Sequence, residues 1–208
     1  MMNLKLEKEL FAAGYRLVAG IDEAGRGPLA GPVAAACVII GPDFKISRAE
    51  LALIRDSKKL SAAQREKAFN LIRKKIKFGV GLVDHKQIDH LNIFQATFLA
   101  MKKALAAAGL QPDYILLDGK FKIPGIAIPQ RAIIKGDDKI FCIAAASIIA
   151  KVARDALMLE YAKKYPLYDF EKHKGYGTKL HLEKIKAHGL SPIHRRSYKP
   201  CQKFPARP

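Results

Sequence analysis

The segment Gly20-Ile21-Asp22-Glu23-Ala24-Gly25-Arg26-Gly27 constrains this chain more than any other. An apolar run, Leu17-Val18-Ala19-Gly20-Ile21, leads straight into two adjacent carboxylates, and a glycine-rich turn carrying one arginine follows. Acids at the end of a buried strand are costly unless something positive neutralises them. A hard divalent cation is one solution, because Mg²⁺ and Mn²⁺ prefer carboxylate oxygen. Gly25 and Gly27 permit positive φ and close backbone approach, so their N–H groups could face an anion.

The charge balance points the same way. Thirty-seven Lys and Arg against nineteen Asp and Glu give a formal charge of +18 over 208 residues. Such a surplus either solvates a surface or meets a polyanion, and its rise toward the C-terminus favours nucleic acid. The length fits one globular domain with a substantial core. Cys37, Cys142 and Cys201 are far apart, without zinc-ligand spacing or a disulfide framework, and the first two are expected in the core. There is no signal-like N-terminus and no apolar run of the roughly 20 residues that span a bilayer, so a soluble, cytoplasmic protein without a membrane partner is expected.

Periodicity predicts helices over 3–13, from a capping box at Ser61 and Gln64 to about Lys75, over 92–108, 141–164 and 178–188. Strands are predicted over 17–22, 32–40, 78–83 and 114–117, with a hairpin arm and a strand within 125–134. This order implies an α/β layer structure with a mixed central β-sheet flanked by helices. Residues 1–198 are read as one domain with a helical C-terminal part, and 199–208 as a basic, Pro-rich, extended tail.

Asp22 and Asp118 share a pattern of apolar run, acid and turn, and the ends of parallel strands are where ligands bind in open α/β sheets. Glu23 joins Asp22 at one ion only if the strand ends between them, since adjacent strand residues face opposite ways. Lys135-Gly136-Asp137-Asp138 offers a further acid. Taken singly, Asp118 and Asp137 read as turn or cap residues. Asp56-Ser57-Lys58-Lys59-Leu60-Ser61 is either a capped helix start or a phosphate clamp at a helix N-terminus. Ser147, Lys151 and Arg154 fall on one helix face, a solvated stripe or a contact for a partner. Tyr176, in the glycine loop His173-Lys174-Gly175-Tyr176-Gly177-Thr178, is placed to stack on a sugar or base. His194-Arg195-Arg196-Ser197-Tyr198 reads as a phosphate-contacting cluster, and His181 and His188 as surface residues.

Together these segments resemble the bacterial type 2 ribonuclease H family, the ribonuclease HII proteins. The likeness covers residues 17 to 198 in the family's order. It runs through Gly20 to Pro32, Asp56 to Ser61, Leu91-Asn92-Ile93, Leu117-Asp118-Gly119, Lys135-Gly136-Asp137, Ala144 to Asp155, His173 to Tyr176 and His194 to Ser197. The resemblance implies a ribonuclease H-like fold and a metal-dependent endonuclease. Its substrates would be the RNA strand of RNA–DNA hybrids and ribonucleotides embedded in duplex DNA, the latter cut on their 5′ side to leave 5′-phosphate and 3′-hydroxyl ends. It implies Asp22, Glu23, Asp118 and Asp137 as catalytic carboxylates holding two Mn²⁺ or Mg²⁺ ions, with Asp137 chosen over Asp138 because the family acid directly follows Lys-Gly. Gly25, Arg26 and Gly27 correspond to the sensor of the ribose 2′-hydroxyl, and Tyr176 to the tyrosine at the RNA–DNA junction. Lys58, Lys59, Asn92, Ser147, Lys151, Lys174, Arg195 and Arg196 complete the expected substrate-binding set, on a monomer. Tyr198 stands where Phe is common, and Lys120 where Asn often follows Asp-Gly. About twenty residues precede Asp22, too few for the N-terminal domain of the type 3 relatives. Two other readings stay open: a noncatalytic nucleic-acid binder on a degenerate nuclease fold, and a metal-dependent DNA nuclease on the same fold.

Overall fold

The computed structural model describes residues 2–204. In chain order its elements are α1 (Lys5–Ala12), β1 (Val18–Ala24), β2 (Val33–Ile40), α2 (Arg48–Leu51), α3 (Ala62–Lys75), β3 (Lys77–Val83), α4 (His85–Leu91), α5 (Ile93–Ala107), β4 (Tyr114–Asp118), β5 (Gln130–Ile133), α6 (Phe141–Lys164), α7 (Phe170–His173), α8 (Lys179–His188) and α9 (Lys199–Gln202). The sheet order is β3-β2-β1-β4-β5. β2 pairs antiparallel with β1 and β3, whereas β4 pairs parallel with β1 and β5, so the sheet is mixed as expected.

Alternation along the central strands builds two cores. Val18, Val38 and Leu116 face α6, while Ile21, Ala35, Cys37 and Leu117 face α5. β2 is buried along its whole length, which accounts for its unbroken Val-Ala-Ala-Ala-Cys-Val-Ile-Ile run. Small residues bring the layers together. A Cβ on Gly20 would lie 2.2 Å from the Cys142 carbonyl carbon, and one on Gly81 2.0 Å from the Ala100 carbonyl oxygen. Neither position has room for a side chain, so α6 and α5 rest directly on backbone.

The first turn of α6 has no side-chain cap from its own N-cap residue. Glu7 of α1 supplies one from 135 residues away, its Oε1 accepting from the Cys142 N–H at 3.0 Å. Glu7 is fully buried and its Oε2 lacks a partner. Burial therefore pushes its carboxyl above the ordinary range, toward the neutral acid.

Several expectations need correction. The 125–134 segment forms no hairpin arm with its neighbour: β5 runs parallel to β4, and the Gln130 side chain closes the loop before it by bonding to Ile123 and Ile126. α4 has no forecast counterpart; Asp84 caps it, and Asn92 ends it at φ 67°. The C-terminal segment is helical over Lys199–Gln202, with Cys201 buried beside Leu29, Ile185 and Leu190, where an extended tail was expected. A partly apolar helical turn gains more by covering that cluster than by staying solvated. The last part of the expected tail, 205–208, lies outside the described residues. Among the described residues, no helix is long and apolar enough to cross a membrane.

Removing the remote cap should loosen the α1–α6 junction. Glu7→Ala is expected to cost about 1–2 kcal/mol, a melting-temperature fall of roughly 2–8 °C for a chain of this size. Glu7→Gln, which keeps an acceptor for Cys142, should lose less; calorimetric melting compares them.

Candidate active site

Register brings the first two acids together. Ile21 of β1 lies opposite Leu117 of β4. Asp22 and Asp118 each stand one residue further on, where the parallel pairing of β1 with β4 stops. Both share strand parity with Val18 and Leu116, so both face the α6 side. Asp137 arrives from the 3₁₀ turn Gly136–Asp138, which precedes α6. One carboxylate oxygen from each of Asp22, Asp118 and Asp137 lies within 4.8 Å of the others. The Gly136 N–H donates to Asp118 Oδ1 at 2.7 Å, and the Glu23 N–H to Asp22 Oδ1 at 2.7 Å, which fixes two of the three groups.

Glu23 stands apart from this trio because β1 does not end at Asp22. The strand continues to Ala24, with Glu23 paired to Ala35 of β2, and the pleat turns its side chain the other way. Its Oε1 instead accepts from Arg26 Nη1 at 3.2 Å. It still lines the same cleft, an opening of about 450 Å³ bordered also by Asp22, Gly25, Arg26, Gly27, Ser57, Lys58, Arg65, Lys151 and Tyr176.

The electrostatics suit a cation. Burial, then the charges of Glu23 and Asp118, push the Asp22 carboxyl well above the ordinary range. Burial also raises Glu23, against the lowering pull of Arg26, and raises Asp137 together with the charges of Asp118 and Asp56. Carboxylates crowded this way favour protonation unless a positive charge joins them. Lys58 supplies part of it, its Nζ lying 3.5 Å from Asp137 Oδ2. Lys59 pairs at 2.5 Å with the exposed Asp138, which turns that acid out of the cluster and leaves Asp137 in it.

The Gly25–Gly27 turn owes its shape to two buried arginines. Arg195 donates to the carbonyls of Gly25 (2.6 Å), Arg26 (3.0 Å), Gly31 (3.0 Å) and Pro32 (3.0 Å). Arg154 donates to those of Pro32, Ala30 and Lys174. Peptide planarity sets each N–H opposite the preceding C=O, so inward carbonyls on Gly25 and Arg26 turn the Arg26 and Gly27 N–H groups away from Arg195. Gly25 sits at φ 95°, and a Cβ there would lie 2.1 Å from Arg154 Nε. The Tyr198 hydroxyl donates to the Arg26 carbonyl at 2.6 Å, a bond that Phe could not make.

These contacts correct the sequence reading. Arg195 and His194 are buried, not available to phosphate; their guanidinium and imidazole are spent on backbone and on His181. Arg154 is buried too, so it serves neither a solvated stripe nor a contact for a partner; its spacing from Ala150 and Met158, both buried, was the sequence signal. Ser147 is buried, accepts from the Ser57 N–H and donates to the Ala144 carbonyl, so it anchors the Lys58 segment rather than facing the cleft. The Asn92 side chain caps α5 through the Phe94 and Gln95 N–H groups, away from the cleft. Arg196 is exposed outside the cleft, where its N–H meets Asp89. Lys174 bonds the Glu171 carbonyl. His181, read as a surface residue, is fully buried, and His188 is half-buried. Lys151 and Tyr176 do line the cleft, with Lys151 Nζ 5.9 Å from the tyrosine ring centroid. Arg65, missed in the sequence, also lines it and holds the Ser57 and Leu60 carbonyls.

Acids that meet where the parallel pairing of β1 and β4 stops, faced by lysines in a cleft on a mixed α/β sheet, fit the class of hydrolases that act on an anionic substrate with a divalent cation. Comparison with known proteins names the family. The family model described as Ribonuclease HII matches residues 19–201. A ribonuclease HII from Endomicrobium trichonymphae is 52% identical over 93% of this chain and 90% of its own length. The crystal structure of ribonuclease H2 from Pyrococcus horikoshii OT3 is similar with a TM-score of 0.71, at 29% identity over 90% of this chain and 96% of that one. Bst-RNase HIII in complex with Mn²⁺ shares the fold, with a TM-score of 0.72 and 20% identity over 90% of this chain and 68% of that one. The chain belongs to the ribonuclease HII family, and its activity is that of a ribonuclease H endonuclease.

Because the carboxyl groups must lose protons to bind a cation, divalent-metal affinity should rise with pH and binding should release protons. Titration calorimetry with Mn²⁺ in buffers of different ionisation enthalpy measures both; a pH-independent affinity without proton release would contradict the raised carboxyls.

Proposed function

We propose that Asp22, Asp118 and Asp137, with Glu23 at the lip of the same cleft, hold Mn²⁺ or Mg²⁺. The enzyme then cuts on the 5′ side of a ribonucleotide in duplex DNA and in the RNA strand of hybrids, leaving 5′-phosphate and 3′-hydroxyl ends. The observation that carries this reading is the meeting of three carboxylate oxygens within 4.8 Å, beside the Gly25–Gly27 turn and Tyr176 in one cleft. Hard oxygen ligands in this number fit such a cation, and a bound divalent ion supplies water activation and charge stabilisation for phosphodiester hydrolysis.

The chain's own residues do the rest. Lys58 and Lys151 attract the phosphate backbone to the acids of the cleft, an attraction that salt weakens. The outward Arg26 and Gly27 N–H groups offer donors to the ribose 2′-hydroxyl, the group that separates RNA from DNA. A site built around that hydroxyl leaves polar groups unpaired when it is missing, which penalises an all-DNA substrate. Tyr176, 40% exposed, offers its ring to the adjoining sugar. All these groups come from one chain, which supports action as a monomer. Lys59, Lys174 and Arg196 stand outside the cleft's lining and fit, at most, contacts to more distant phosphates.

The test is cleavage of an end-labelled duplex with one ribonucleotide beside its all-DNA counterpart. Metal-dependent cutting 5′ of the ribonucleotide alone is expected, with turnover abolished by Asp22→Asn while duplex binding survives. Cutting of both duplexes would overturn the 2′-hydroxyl reading, and full activity in Asp22→Asn would overturn the site. Tyr176→Ala should lower cleavage at the single ribonucleotide by about tenfold to a hundredfold, the range of a lost stacking contact, and affect duplex binding less.

A further inference from the structure

Behind the cleft, three histidines cluster with no place in the chemistry so far. His181 and His194 are buried, as is His173, whose ring stacks on that of His181 with centroids 4.2 Å apart. Phe170 packs its edge against His173 and His181. The contacts of these rings point to one arrangement of protons. The Ser191 N–H, which can only donate, lies 2.8 Å from His194 Nδ1, as does the Ser191 hydroxyl, which can donate too, with the Ser191 carbonyl further off at 3.3 Å, so that nitrogen is assigned as the acceptor. The His194 proton is then on Nε2, which lies 3.0 Å from His181 Nε2 and donates to it. His181 in turn carries its proton on Nδ1, 2.9 Å from the Tyr176 carbonyl oxygen, which can only accept. The Gly175 N–H likewise leaves His173 protonated at Nε2, facing the Tyr168 carbonyl at 2.8 Å.

We propose that His181 and His194 are positioning residues for Tyr176, forming a one-way hydrogen-bond relay from Ser191 to the Tyr176 carbonyl that sets the tyrosine at the cleft. This rests on the role given to Tyr176 under Proposed function. The relay adds to two long-range ties on the preceding residues, Leu29 N–H to the Gly175 carbonyl and Arg154 to the Lys174 carbonyl, and it ends on Tyr176 itself, whose own N–H donates to the His173 carbonyl and whose carbonyl is shared with the Thr178 N–H. Its far end is anchored where 193–195 meets the site turn, through Gly31 N–H to Ile193 and Arg195 N–H to Leu29. Tyr176 and the Gly25–Gly27 turn are thereby referenced to one C-terminal segment. An added proton breaks the order of the relay: on His181 Nε2 it would face the His194 donor, and on His194 Nδ1 it would face the Ser191 N–H and have to turn to the Ser191 hydroxyl or carbonyl. Burial agrees, holding His181 down to about 4 and His194 down to about 3, with the neighbouring imidazoles adding to the effect.

Two measurements on the full chain test this. Two-bond ¹H–¹⁵N spectra of histidine-labelled protein at neutral pH should show His181 as the Nδ1–H tautomer and His194 and His173 as Nε2–H. A His181 proton on Nε2 would overturn the relay. In kinetics on the single-ribonucleotide duplex, His181→Leu should lose about tenfold in kcat/KM, the factor that one hydrogen bond of ordinary strength supplies. His181→Asn, whose amide can still donate to the Tyr176 carbonyl, should recover most of that loss, which a merely space-filling role would not allow. In a Tyr176→Ala background His181→Leu should cost nothing more. Additive losses, or no loss from His181→Leu where Tyr176→Ala alone is impaired, would overturn the relay's role. An unimpaired Tyr176→Ala would instead remove the substrate role of Tyr176, and the relay's function with it. If His181→Leu fails to fold, the tautomers and the kinetics of His181→Asn against His194→Leu decide, with His194→Leu expected to be the more impaired.

Discussion

Mutual repulsion among Asp22, Asp118 and Asp137 is the constraint on which the rest of this structure turns. Three buried or half-buried carboxylates within 4.8 Å oppose folding unless they are neutralised or held by a frame stiffer than their repulsion. The frame here is backbone. Asp22 and Asp118 are carried on hydrogen-bonded parallel strands, and α6 rests on β1 at Gly20, where no side chain intervenes. Asp137 sits on the turn that leads into α6, tied to Asp118 through the Gly136 N–H. The remote Glu7 cap helps hold the start of the same helix. The site is costly in the metal-free protein for the same reason that it suits a cation.

A second frame holds the Gly25–Gly27 turn. Two buried guanidiniums bond only main-chain carbonyls and the Tyr198 hydroxyl, and so convert a flexible glycine turn into a fixed row of outward donors. Their forked geometry allows one side chain to serve several carbonyls, which a lysine could not do. Burial, with the like charge of Arg195, lowers Arg154 to about 10, which leaves it charged at neutral pH. The helical C-terminal part is thus joined to the catalytic sheet through the turn itself. Substitutions at Arg195 or Tyr198 would loosen this turn without changing its own residues.

How much could be read from the amino-acid order depended on range. Local signals held: α6 runs from Phe141 to Lys164 as its periodicity and following Pro166 imply, and Ser61 and Gln64 form the reciprocal capping box. The acids at the ends of two apolar runs converge as strand ends should. What failed was long-range partnership. An arginine beside other basic residues looks like a phosphate ligand, and only the fold reveals that Arg195 lies against carbonyls more than 160 positions earlier. His181 on a polar helix gives no hint that His194 will sit against it. Glu23 was open to either placement; the pairing that extends β1 to Ala24 decided it. The resemblance to the family named the four acids, and the pleat explains why one of them approaches from a different side.

Thermal melting of the wild type and Asp22→Asn, with and without Mn²⁺, tests the central claim most directly. Asn keeps an acceptor for the Glu23 N–H but removes one of the repelling charges. The account predicts a higher melting temperature for metal-free Asp22→Asn than for the metal-free wild type, and loss of most of the rise that Mn²⁺ gives the wild type. A variant that is less stable without metal, or stabilised by Mn²⁺ as strongly as the wild type, would contradict it.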